Sequence, residues 1–77
     1  MVDVKQAVRI ARDYLQEIVG ISPLHSLMVE EIEPVDEGWD VTFGWDVDRL
    51  GTQRTYKVLK VRASDGEVLS MKIRTVA

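Results

Sequence analysis

Seventy-seven residues with a net charge of −3 make one small domain, 1–77. The chain has no cysteine, which excludes a disulfide staple and thiolate chemistry. No apolar run approaches the ~20 residues that a membrane span needs, and no export signal pattern opens the chain. The expectation is a cytoplasmic monomer or small homo-oligomer with no membrane span.

Residues 3–19 read as an amphipathic helix. Val4, Ala7, Val8, Ala11, Leu15, Ile18 and Val19 recur at spacings of three and four and form one apolar stripe. Ile10 and Tyr14 form a flanking row. Asp3 and Gln6 have the spacing of a capping box, and Gly20 followed by Pro23 ends the helix.

A first strand is expected over 27–33. Its alternation is poor, because Glu30 and Glu31 fall on both faces, which suits an edge strand. Asp36-Glu37-Gly38 is turn chemistry. Residues 39–47 then alternate strictly: Trp39, Val41, Phe43, Trp45 and Val47 are apolar, with polar residues or glycine between them. This strand carries both tryptophans and the only phenylalanine, so it is expected to be the spine of the fold. Gly44 inside it is read either as a bend in the sheet or as a shallow spot on the outer face.

A third strand is expected over 53–63 and a fourth over 68–76, joined by the Ser64-Asp65-Gly66-Glu67 hairpin signal. Setting Ala63 opposite Leu69 brings Val61 opposite Met71 and Leu59 opposite Ile73, so that all inward pairs are apolar. Arg62 then opposes Ser70, and Lys60 opposes Lys72. The third strand changes phase between Val58 and Leu59. Either a bulge lies there, or Tyr56 packs on the outer face. The fold class is α+β, with one N-terminal helix packed on one face of a four-stranded antiparallel meander.

Catalytic chemistry finds little material. The one histidine, His25, is beside Ser26, and adjacency in sequence does not make a nucleophile–base pair. One imidazole and no thiolate argue against zinc. Asp46–Gly51 matches part of a calcium loop, but Leu50 and Lys57 stand where ligands are required. Asp40 and Asp46 face away from the expected core and are expected to be solvated. The expectation is a non-enzyme with no metal, cofactor or small-molecule substrate.

Charge is split along the chain. Residues 1–51 carry −7 and residues 52–77 carry +4. Two explanations are open: attraction between neighbouring strands, or a basic face for an acidic partner. Arg54, Lys60, Arg62, Lys72 and Arg74 are the candidate partner-binding residues. A protein partner is the leading expectation, bound through the exposed sheet face or the edge strand at 27–33, and polyanion (nucleic-acid) binding through the basic face is the alternative.

Three segments carry a family resemblance: Ala7–Gly20, Val29–Glu33 followed by Asp36–Val41, and Thr55–Val58 followed by Asp65–Leu69. Their order resembles the gas vesicle protein O family, which also runs helix, acidic turn with Gly-Trp, Tyr-x-Val strand and Asp-Gly-Glu hairpin. Val61–Leu69 is also similar to the hairpin of PepSY-type domains. Both resemblances imply a non-enzymatic helix-and-sheet module, and the first implies an accessory role in gas vesicle assembly or regulation.

Overall fold

The structure is a computed structural model and describes residues 1–19, 27–46 and 54–73. The chain runs α1 (Val4–Val19), β1 (Met28–Val35), β2 (Gly38–Asp46), β3 (Arg54–Arg62) and β4 (Val68–Ile73). The strands form one antiparallel sheet in the order β1-β2-β3-β4, and α1 packs on one face of it. The α+β meander expected from the sequence is therefore present.

The start of α1 follows from its first residues. The Gln6 amide donates to the Asp3 carboxylate at 2.8 Å, and the Asp3 amide donates to the Gln6 side-chain oxygen at 2.9 Å. This reciprocal capping box satisfies two amides that would otherwise lack helical partners. The buried seam of the helix is narrower than the sequence stripe. Ala7, Ala11 and Leu15 are fully buried, whereas Val4 and Ile18 are exposed. The central row is buried against the sheet, Val8 and Ile10 pack beside it half-buried, and the ends of the stripe stay in contact with water.

Beneath this seam lie Val41, Phe43 and Trp45 of β2 and Leu59 and Val61 of β3, all buried. The alternation of β2 thus turns its odd positions toward the helix, as its period of two requires. Trp39 is only half-buried, at the rim of the core. Its indole N–H donates to the Val2 carbonyl at 3.2 Å. The Val2 amide in turn donates to Ala63 at 2.7 Å, which ties the residues before α1 to the end of β3.

β3 runs unbroken beside β2, from Gly38 opposite Arg62 to Asp46 opposite Arg54. The bulge considered for Val58–Leu59 is absent, and Tyr56 takes the outer face opposite Gly44. The bulges lie instead in the two edge strands. In β1 the register shifts between Val29 and Glu31, so Val29 and Ile32, three apart, both align with inward residues of β2. Glu30 becomes the extra residue, and neither glutamate has to enter the core.

In β4 the register shifts where Lys60 pairs with Ser70 and Val61 pairs with Val68, leaving Leu69 as the extra residue. Val68 and Met71, again three apart, pack against the core. Leu59 faces Met71, not Ile73, and Lys72 faces Val58, not Lys60. From Ser70 to Ile73 this two-residue offset keeps each residue on its expected side, but the bulge turns Val68 to the core and leaves Leu69, expected inward, exposed. The offset also removes the direct opposition of two lysines, an unfavourable pair.

Candidate functional site

No described element packs on the second face of the sheet. Strand pairing fixes what that face carries. One row across the strands reads Glu33, Asp40, Lys60, Ser70, and the next reads Glu31, Thr42, Val58, Lys72. Acidic groups therefore sit on β1 and β2, and basic groups on β3 and β4. The strand order sets oppositely charged strands side by side and leaves a face with a negative and a positive half, in place of a uniformly basic one.

Of the candidate partner-binding residues, Arg54 and Arg62 are already engaged. Arg54 holds Glu30 at 3.0 Å. The Arg62 guanidinium takes both Asp65 carboxylate oxygens, at 3.0 and 2.8 Å, and also pairs with Glu67. Lys60 and Lys72 occupy the open face, Lys60 half-buried and Lys72 exposed. Arg74 and His25 lie outside the described residues.

The Arg62 cluster organises the β3–β4 turn. The hydrogen bond from Arg62, with a further one from the Glu67 amide, holds the Asp65 carboxyl below the usual aspartate range. The hydrogen bond and charge of Asp65 push Arg62 upward in turn. Because the folded Asp65 value is depressed, its contribution to stability is present above the ordinary aspartate pKa and is lost as pH falls through the folded value. Asp65→Asn should therefore lower stability slightly at pH 7 and leave it unchanged near pH 2. Urea midpoints across pH 2–7 measure this, and equal losses at both ends would contradict the pairing.

Gly44 has a role neither sequence reading gave it. A β-carbon there would lie 2.9 Å from the Tyr56 ring and 2.9 Å from the Glu30 carboxylate. The absence of a side chain lets Tyr56 lie flat across β2, with the Glu30–Arg54 pair beside it.

Asp40 departs from the solvated carboxylate that the sequence suggested. It is half-buried, and its Oδ1 is shielded from water with no hydrogen-bond partner. It borders a shallow hollow of about 330 Å³ lined by Glu31, Glu33, Asp40, Thr42 and Val58. A shielded carboxylate oxygen without a donor is costly. Finding it from sequence needs the β2–β3 register, which places Lys60 directly opposite.

A larger cleft of about 600 Å³ opens at the end of the sheet, lined by Val2, Pro34, Glu37, Trp39, Arg62 and Ser64 among others. The Trp39 indole and Arg62 already serve Val2 and the turn. Among the described residues, no group of three or more His, Asp or Glu side chains converges as a metal site. No described helix is long and apolar enough to cross a membrane. Comparison with protein-family models, with curated proteins and with solved structures returns no match.

Proposed function

We propose that this protein is a non-catalytic interaction domain that engages a protein partner through the open face of its sheet. The observation that carries this reading is the charge order of a face that no described element covers: acidic Glu33 and Asp40 on β1 and β2, basic Lys60 and Lys72 on β3 and β4. Half-buried Val58 adds an apolar spot at its centre beside buried Thr42, and Lys60 and Lys72 supply the positive side. A protein surface with charges in the reverse order satisfies all of these at once.

A polyanion fits less well. The two arginines best suited to phosphate already hold carboxylates. The acidic half of the face would also repel a nucleic acid. The β1 edge is a poorer docking strand, because Pro34 and the bulge at Glu30 interrupt it. The resemblance to gas vesicle protein O suggests the biological setting, an accessory role in assembly or regulation.

Affinity capture from the source cells tests the reading. A partner should be retained by the wild type and by Arg9→Glu/Arg12→Glu, which alters exposed helix positions. It should be lost with Lys60→Glu/Lys72→Glu. Capture indifferent to the sheet-face pair would remove this reading.

A further inference from the structure

The two halves of the open face are complementary to each other, and the strand register makes that complementarity geometric. Asp40 and Lys60 face each other directly on the two central strands. Consider a twofold axis parallel to the strands, midway between β2 and β3. Rotation about it lays a second sheet on the first with β2 over β3 and β1 over β4. Because Asp40 and Lys60 share a row, the second copy's Asp40 then lies over Lys60, and its Lys60 over Asp40. The neighbouring row brings Glu31 of one copy over Lys72 of the other. A twofold axis perpendicular to the strands in the same plane would instead set acid on acid.

Resting on the reading of the open face as the interaction surface, we infer that its partner is a second copy of this chain, stacked face to face about this axis. The arrangement is isologous, so each contact occurs twice. The second copy's Lys60 brings its positive charge over the Asp40 carboxylate, whose Oδ1 has no hydrogen-bond partner within the chain. Asp40 and Lys60 lie beside the axis, where sheet twist displaces rows least. Along the axis beyond them lie the pairs Thr42–Val58 and Gly44–Tyr56, which carry no charge to oppose the stacking.

The size of the face sets the strength. Four strands at about 4.8 Å spacing and nine residues at about 3.3 Å rise span about 19 by 30 Å. That is roughly 570 Å² per copy, below the ~800 Å² per partner of a standard interface. The dimer is therefore weak, with a Kd of tens of micromolar or above, and salt-sensitive because charge aligns it.

Sedimentation equilibrium from about 20 μM to 1 mM in low salt tests this. The wild type should dimerise, and raising salt to about 0.5 M should weaken the dimer severalfold. Asp40→Lys and Lys60→Asp should each weaken it at least tenfold, since each sets like charges together twice. Mixing the two variants is decisive, because both contacts of the mixed dimer are then opposite in charge. The mixture should associate as tightly as the wild type, while each variant alone stays monomeric and retains its helix and sheet signal by circular dichroism.

A wild type that stays monomeric at 1 mM overturns the inference. So do single variants that dimerise like the wild type, or a mixture no tighter than its components. A monomeric wild type whose capture of another protein still depends on Lys60 and Lys72 overturns only the second copy as partner. Capture indifferent to those lysines removes the interaction reading itself.

Discussion

Gly38→Ala should destabilise the domain by at least about 3 kcal/mol, a large loss for a single added methyl. Gly38 begins β2 opposite Arg62 and does not need an unusual backbone conformation. What it needs is space. A β-carbon would stand 2.0 Å from the Val61 carbonyl oxygen and 2.7 Å from the Ala63 amide. Both are backbone atoms, so no rotamer change relieves the clash. The Ala63 amide also donates to the Glu37 carbonyl at 2.9 Å, and that bond locks the β1–β2 turn onto the end of β3. Making room means separating β2 from β3 and breaking this lock. Gly66→Ala is the useful comparison. Gly66 adopts a φ of +76°, and its nearest obstacle is the mobile end of Ile10 at 2.9 Å. Its loss should be about 1–2 kcal/mol. Urea denaturation of both variants gives the order, and a Gly38→Ala loss below that of Gly66→Ala would contradict the geometry.

Phe43→Ala should cost about 3–5 kcal/mol, from lost transfer free energy and from the cavity left behind. Phe43 is fully buried at the centre of β2, in one cluster with Leu15 of α1 and Leu59 of β3. It pairs with Val29 on one side and Lys57 on the other, so no neighbouring aromatic on its own row can fill the void. A domain of this length has roughly 4–12 kcal/mol of stability in total. The substitution therefore removes a large share of it, and thermal unfolding should begin near room temperature. Ile73→Ala, at the same face but 74% exposed, should change stability by no more than about 0.5 kcal/mol. A Phe43→Ala loss no larger than that of Ile73→Ala would show that the helix does not seal this part of the sheet.

The two central features of the fold were legible because each follows one strict period. The alternation from Trp39 to Trp45 named the buried face of β2. The helical stripe contained the row Ala7, Ala11 and Leu15 that covers it, together with Val4 and Ile18, which stay exposed. The edge strands were less legible because each contains a bulge. Inward pairs three apart, Val29 with Ile32 and Val68 with Met71, are neither helical nor alternating. The spacing was present in the sequence, but its meaning depends on a partner strand. For the same reason the phase change in β3 suggested a bulge that the structure places elsewhere. There, Tyr56 and Val58 serve the outer face while Leu59 and Val61 serve the core.

The open face was legible as a collection of basic residues, and less so as a site. Arg54 and Arg62 read as partner-binding residues along the chain. Their partners Glu30, Asp65 and Glu67 become evident only with the β1 bulge and the turn geometry. Asp40 read as a solvated carboxylate because alternation says which face a residue takes and nothing about its neighbours there. The register added Lys60 across from it and Glu33 beside it, and with them the reversal of charge across the face.

The measurement closest to the central claim is a methyl-resolved NMR concentration series of the wild type in low salt, from about 50 μM to 1 mM. Thr42 and Val58 report on the open face, and exposed Val4, Ile18, Ile32 and Ile73 report on the helix-covered side and its margins. Shifts confined to Thr42 and Val58, reversed by salt, are the result expected of face-to-face stacking. Spectra that do not change with concentration, or shifts centred on Ile18 and Ile73, would contradict it.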